Sequence, residues 1–322
     1  MSSMFGERIK ISLFGQSHSE AIGVVIDGLP TGETLDMQHI AAFMARRAPG
    51  RNPGDTARRE ADEARVLSGL VNDITCGAPL CAVIENTDVR SQDYVKLRNV
   101  PRPGHADFPL EMKHKGFQDK RGGGHSSGRL TAPLCFAGAV AMQILERRGV
   151  KICANIIKIG DVIAAKEQSD SVGGVIECTV NGLPAGLGSP MFGGVENRLA
   201  AALFGIPGIR GVEFGAGFAA ANMRGSQNND AYFIDNGEIR TRTNHHGGVL
   251  GGLTTGMPLV LRVAVKPTPS IALEQESVDL QAMQPTKLRI TGRHDACIVP
   301  RVLPVVEAVT ACVLLDLMEE SR

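Results

Sequence analysis

Gly23-Val-Val-Ile-Asp-Gly-Leu-Pro-Thr-Gly32 returns later in the chain as Val175-Ile-Glu-Cys-Thr-Val-Asn-Gly-Leu-Pro-Ala-Gly186, with the Gly-Leu-Pro-x-Gly core repeated from Gly28 to Gly182. Each copy reads as an apolar strand, a glycine turn and a helix, the helices falling near residues 36–47 and 194–204. A second echo follows: Thr75-Cys-Gly-Ala-Pro-Leu80 and Thr254-Thr-Gly-Met-Pro-Leu259 each lead into an apolar strand. A third is looser, with Arg121–Gly124 opening onto an apolar helix near 127–148 and Gly292–Asp295 onto another near 301–318. Strand, helix, strand, basic glycine loop and long helix therefore occur twice in the same order. The strands alternate rather than follow a regular β-α-β spacing. The expected fold class is α+β, with antiparallel sheets around a helical layer and two pseudo-symmetric halves. No Pro/Ser-rich linker divides them, so one domain over residues 1–322 is expected, its halves at about 1–150 and 151–322.

Composition narrows the classes of function. The chain has 322 residues with 34 Lys+Arg against 34 Asp+Glu, a net charge of zero. Nucleic-acid binding needs an excess of positive charge to displace counterions, so no nucleic-acid partner is expected. The 38 glycines exceed the ~7% share usual in globular proteins, yet lack the three-residue period of collagen. The longest apolar stretch, 132–145, is too short to span a bilayer, and the N-terminus lacks a secretory signal pattern, so no membrane association is expected. The seven cysteines contain no Cys-x-x-Cys pair. They read as reduced thiols of a cytoplasmic protein.

The chemistry concentrates in loops. Arg102-Pro-Gly-His-Ala-Asp107 is followed by Arg121-Gly-Gly-Gly-His-Ser-Ser-Gly-Arg129, a backbone able to wrap an anion with cations beside it. Arg46-Arg47-Ala48-Pro49-Gly50-Arg51 is another basic turn. Met223–Asp230 is a polar loop, Asn244–Gly252 a second glycine cradle, and Lys266-Pro-Thr-Pro-Ser270 a rigid, hydroxyl-bearing turn with a cation. Gly292-Arg-His-Asp295 precedes the last helix. Polarised loops on a neutral chain suit a small, multiply anionic ligand.

Several look-alikes carry little. Gly215-Ala-Gly217 lacks the acidic residue about 20 positions on that a dinucleotide site requires, and no P-loop motif exists. His245-His246 do not converge on one ion, so no metal is expected. Glu60–Glu63 with Arg58, Arg59 and Arg65 reads as a solvated helical face.

Taken together these motifs resemble the chorismate synthase family. The matching segments are Phe14-Gly-Gln-Ser-His18, Arg46-Arg47-x-Pro49-Gly50, Glu85-Asn-Thr-Asp88, Arg102–Asp107, Arg121–Ser127, Lys266–Ser270 and Gly292-Arg-His-Asp-Ala-Cys297, collinear over most of the chain. The chain departs from the usual family pattern at Gln16, Ala48, Pro53 and His125, and lacks a helical stretch after Gly160.

The resemblance implies 1,4-anti-elimination of phosphate from 5-enolpyruvylshikimate 3-phosphate to give chorismate, in the shikimate pathway, with reduced FMN as cofactor. It casts His18 as the acid for the leaving phosphate, His105 as the residue keeping the flavin correctly protonated, and Asp295 as an aid to proton removal. Flavin contacts implied are His125, Ser126, Ser127, Gln227, Asn228, Gly251, Lys266, Pro267, Thr268, Pro269, Ser270 and Arg293. Substrate clamps are Arg47, Arg102 and Arg129. A homotetramer is also implied, with reducing equivalents from a flavin reductase or indirectly from NADPH. The alternative is a non-catalytic FMN-binding relative or a sensor of anionic metabolites.

Overall fold

The computed structural model describes residues 3–50, 62–87, 99–290 and 295–321. The repeated Gly-Leu-Pro turns are its clearest local feature. Gly28 and Gly182 both sit at φ +85°, where an added Cβ would lie 2.0 Å from the Arg8 carbonyl oxygen and 2.1 Å from that of Gly149. Only glycine allows the strands to approach so closely there. The echoed threonines close the same turns. Thr75 Oγ1 donates to the Pro30 carbonyl (2.6 Å) and accepts from the Glu33 N–H (2.9 Å). Thr254 Oγ1 does the same with Pro184 (2.5 Å) and Leu187 (2.9 Å). The threonine carbonyls accept from Gly32 and Gly186, both at 2.8 Å. Both threonines are buried, so each hydroxyl satisfies an otherwise orphaned turn.

Among the described residues seven helices occur in chain order: α1 (Met37–Arg47), α2 (Asp107–His114), α3 (Thr131–Arg147), α4 (Val162–Glu167), α5 (Val195–Phe204), α6 (Gly225–Asn228) and α7 (Val299–Glu320). The first half carries an antiparallel sheet whose strands lie in the order Met4–Phe5, Lys10–Gly15, Ala21–Asp27, Leu80–Glu85, Arg65–Ser68. The second carries Lys151–Ile159, Gly174–Asn181, Leu259–Val265 and Ile209–Phe214 side by side, again antiparallel. Leaving aside the short N-terminal strand, chain order in each sheet is first, second, fourth, third, with a helix (α1 or α5) between second and third and a long helix (α3 or α7) after the fourth. The two pseudo-symmetric halves of an α+β sandwich are thus present.

The helices form the middle layer, α3 against the first sheet and α7 against the second. Both are buried on nearly every face, hence their apolar composition all round. The apolar run Gly128–Arg147 is of membrane-spanning length, but 89% of its apolar 18-residue stretch is buried inside the protein. They cross at Gly138, where a Cβ would lie 2.2 Å from Ala308 Cα. The sequence places the long helices slightly off: α3 begins only at Thr131, after 3₁₀ turns at Gly124–Ser126 and Gly128–Leu130. Helix α7 starts two residues early and runs through Pro304. In the expected gap after Gly160 the chain uses the short α4, capped by Asp161.

Helix α1 fixes the first piece of the site. Asp36 caps it by accepting from the N–H groups of Gln38 and His39, both at 2.9 Å. Its inward stripe of Ile40, Phe43 and Met44 then continues at helical spacing to Arg47. A cation is thereby turned into the interior.

Candidate active site

His18 lies in the turn between the strands Lys10–Gly15 and Ala21–Asp27. Its Nδ1 is 3.1 Å from Ser17 Oγ, and the Ser17 N–H donates to the Gly124 carbonyl at 3.1 Å. Asn86, just beyond the strand Leu80–Glu85, secures this turn by donating to the carbonyls of Gln16 (3.1 Å) and Ser19 (2.9 Å). The 121–124 loop closes over it. At Gly122, φ +65°, a Cβ would fall 2.6 Å from His18 Cε1. Glycine at that position is what lets the loop backbone pass the imidazole.

The 102–107 loop and the 266–270 turn meet beside it. Arg102 is buried and donates through Nε to Asp107 Oδ2 (2.7 Å), and through Nη2 to Asp107 Oδ1 (2.8 Å) and the Gly122 carbonyl (2.7 Å). Its Nη1 reaches Ser270 Oγ at 3.4 Å. His105 Nδ1 stands 2.6 Å from Asp107 Oδ1. Ionised Asp107 can only accept, so a proton on Nδ1 given to Asp107 is the consistent arrangement, leaving Nε2 as the acceptor in the neutral ring. Arg102 Nη2, 3.1 Å from the same nitrogen, then does not donate to it. Burial pushes the Asp107 carboxyl up, but hydrogen bonds and charge from Arg102 and His105 win and hold it well below its ordinary value. Lys266 Nζ donates to the Gly104 carbonyl at 2.5 Å. Its ammonium is also less basic than usual, first through burial and then through Arg210. Thr268 Oγ1 is buried with no hydrogen-bond partner. A cleft lined by Arg102, Asp107, Asp119, Lys120, Gly122 and Gly123 opens alongside.

Arg47 and Arg129 form the third part, both buried. Both bond the same carboxylate, Asp62, Arg47 through Oδ2 and Arg129 through Oδ1. This overturns the expectation of a solvated helical face over Glu60–Glu63. Asp62 is only 3% exposed and Arg65 begins a strand, while Arg58, Arg59 and Glu60 lie outside the described residues. The alternation of acids and bases misled because a buried cation pair far away in sequence, not water, solvates Asp62. No local pattern around position 62 signals this. Two basic residues predicted to lie in one pocket were the available clue that an acid must join them. Asp295 enters through Arg301 of α7, which donates from Nη1 to Asp295 Oδ2 (2.8 Å) and from Nε to the Arg47 carbonyl (3.1 Å).

The remaining candidates fare unequally. Ser127 Oγ accepts from the Arg129 N–H at 3.2 Å, starting the turn that points Arg129 inward. Ser126 closes the preceding turn through its backbone. His125 uses its ring to fasten the N-terminal segment, Nδ1 at 2.7 Å from the Gly15 carbonyl and Nε2 at 2.7 Å from Ser3 Oγ. Pro267 and Pro269 stiffen the 266–270 turn, with Pro269 Cβ 3.5 Å from where a Gly104 Cβ would lie. Gln227 and Asn228 sit on the short surface helix α6, where Gln227 Oε1 accepts from the Arg224 N–H at 2.9 Å. Gly251 lies on an exposed turn at φ +61°. The hydrogen bonds that join the 102, 122 and 266 segments do not extend to these three among the described residues. Arg293 and Pro53 lie outside the described residues. His246, one of the discounted pair, is held by Asp230 at 2.6 Å.

Fold and pocket define an enzyme of the α+β sandwich class, with histidines and buried arginines from the first half meeting Lys266, Ser270, Asp295 and Arg301 from the second. The chorismate synthase family model matches residues 9–164 and 161–318. A chorismate synthase of Thermococcus gammatolerans is 46% identical over 344 residues, covering 97% of this chain and 96% of the relative. That of Chitinophaga pinensis is 47% identical over 321 residues, covering 98% and 96%. A chorismate synthase crystal structure superposes with TM-score 0.76 at 26% identity, over 98% of this chain and 93% of that one. The chain belongs to the chorismate synthase family, whose members are lyases.

Proposed function

We propose that this chain converts 5-enolpyruvylshikimate 3-phosphate to chorismate by 1,4-anti-elimination of phosphate. The observation that carries this reading is the meeting of Arg47 and Arg129 on Asp62, with Arg301 tying the Arg47 carbonyl to Asp295, together with Arg102, which lies 3.1 Å from His105 and bonds the Gly122 carbonyl in the loop over His18. A substrate with two carboxylates and a phosphate needs several desolvated guanidinium forks, and arginine supplies them bidentately. In this reading Arg47, Arg102 and Arg129 grip the substrate anions. His18, under the 121–124 loop, protonates the departing phosphate. Asp295, oriented by Arg301, assists removal of the ring proton.

The elimination is proposed to require reduced FMN. The residues present suit such a group. The buried, unpartnered Thr268 hydroxyl, with Lys266 and Ser270, offers donors to a flavin's polar edge. His105, proton-bearing at Nδ1 toward Asp107, would govern the flavin's protonation. His125, Ser126, Ser127, Gln227, Asn228, Gly251, Pro267, Pro269 and Arg293 complete the proposed contacts, His125 through its backbone, since both ring nitrogens are engaged elsewhere. Bound in reduced form, the flavin would supply electron density that weakens the allylic C–O bond.

The proposal extends to a single domain of two halves, a cytoplasmic location, a flavin reductase or NADPH as the source of electrons, and a homotetramer. Exposed apolar side chains such as Phe192, Phe218, Ile234 and Ile239 favour burial between subunits. Sedimentation would read the assembly directly.

The test of function is anaerobic. With substrate, FMN and dithionite supplied, chorismate and phosphate should appear in equal amounts. No product at saturating cofactor removes the reading. Retained FMN binding without product would instead favour a non-catalytic flavin-binding relative.

A further inference from the structure

The two arginines proposed to grip the substrate meet on a carboxylate that the reaction itself does not use. Asp62 is delivered there by backbone at φ +53°, a conformation Asp tolerates better than most residues. It sits just before the strand Arg65–Ser68, which is paired to Leu80–Glu85. The sheet edge therefore fixes where the carboxylate stands. Each of its oxygens takes one guanidinium.

The other donors of both arginines are aimed by protein acceptors too. Arg47 reaches Thr131 Oγ1 through Nε (3.0 Å) and the Gly128 carbonyl through Nη2 (3.5 Å). Arg129 reaches Asn86 Oδ1 (3.0 Å) and the Glu85 carbonyl (3.5 Å) in the same way. These neutral acceptors can orient a guanidinium, but they cannot relieve the repulsion of two buried cations. That repulsion is strong where water is excluded. One carboxylate, shared by both, relieves it.

We propose that Asp62 is a positioning residue: as the shared counter-carboxylate of Arg47 and Arg129, it sets the spacing of their forks for an incoming substrate anion and keeps solvent anions from taking its place. The inference rests on the reading that these two arginines bind substrate. Burial pushes the Asp62 carboxyl up, while the two guanidiniums pull it below its ordinary value and prevail, so it remains ionised at neutral pH.

Neutralising Asp62 should free the two cations to separate or to recruit an anion from solution. Asp62→Asn and Asp62→Glu would be compared with the wild type by steady-state kinetics, calorimetric binding of 5-enolpyruvylshikimate 3-phosphate, and melting with and without millimolar inorganic phosphate. For Asp62→Asn, KM should rise roughly tenfold or more with kcat within about threefold, the mark of lost uniform binding. Inorganic phosphate should raise its melting temperature more than that of the wild type, because phosphate fills the vacated charge. Asp62→Glu, which keeps the charge but shifts it, should recover part of the affinity. Wild-type KM and no extra phosphate stabilisation in a folded Asp62→Asn protein would overturn the proposal. Should that variant fail to fold, Asp62→Glu decides: a raised KM supports the role and an unchanged KM overturns it. A wild type that binds substrate but yields no chorismate would sink the catalytic reading alone. The calorimetric affinities of the variants would then judge Asp62, equal values counting against it.

Discussion

Asp62, before an edge strand, and Asp316, on α7, are both buried carboxylates, 3% and 2% exposed, and they are satisfied in opposite ways. Asp316, near the end of α7, accepts from the N–H groups of Glu7 (2.9 Å), Arg8 (2.8 Å) and Ile9 (2.7 Å), with Arg198 alongside. Asp62 takes two guanidinium groups. A carboxylate paired with one cation and saturated by backbone is a closed, nearly neutral knot, which suits a staple for the N-terminal segment. A carboxylate shared by two cations holds their guanidinium forks at a fixed spacing, which suits an anion site. The lesson is that burial of a charge does not by itself distinguish scaffold from site; the kind of partner does.

If the contrast holds, substitutions in the Asp62 region move substrate binding or turnover and those around Asp316 move stability. The largest effect is expected at the histidines of the Asp62 region. His18→Ala and His105→Ala should each lower kcat roughly 10²–10⁴-fold with the melting temperature little changed, as for a removed acid or base. Near-normal turnover in either variant would remove its assigned role. At the other carboxylate, Asp316→Ala leaves three N–H groups without their acceptor and Arg198 with Glu320 as its carboxylate partner. About 3–5 kcal/mol of stability should be lost in a denaturant titration, with unaltered KM in the folded fraction. A cost well under 1 kcal/mol would break the comparison.

Gly138→Val probes the helical layer between the two. A Cβ there meets Ala308 Cα at 2.2 Å, so α3 and α7 must separate, at about 1–3 kcal/mol or more. An unchanged melting temperature would show that the helices can part freely. The smallest effect is expected from pH. Asp62 and Asp107 are both held below their ordinary carboxyl values in the folded chain. Their stabilisation is therefore complete above the unfolded pKa of about 4 and declines as pH falls below it. Unfolding free energy that stays flat from neutrality to pH ~3 would contradict those pairings.

Much of the fold was legible because duplication writes the same physical requirement twice. The Gly-Leu-Pro turns need positive-φ glycines at Gly28 and Gly182, and each needs a buried threonine to satisfy its carbonyl, so all four residues recur. Helices α1 and α5 were legible from their spacing, and α3 and α7 from their unbroken apolar character. Helix starts were less so, because at Gly124–Leu130 two 3₁₀ turns look like the opening of α3.

The site was only partly legible. Arg102, His105, Lys266 and the 121–129 loop announced themselves through glycine and charge crowded in short segments. Asp62 did not, since an acid among arginines and glutamates looks like solvated surface until the tertiary contacts are known. Nor does the sequence show that the His125 ring fastens Gly15 and Ser3.

By itself, then, the sequence determined the two halves, the apolar helical layer and the presence of basic glycine loops, because periodicity, turn chemistry and composition are local. Only the tertiary structure decided which charges face one another. Asp62 with Arg47 and Arg129, Arg102 with Gly122, and Arg301 with Asp295 and the Arg47 carbonyl are joined by packing of distant segments. Electrostatic partnership depends on distance and exclusion of water, and neither is fixed by order along a chain.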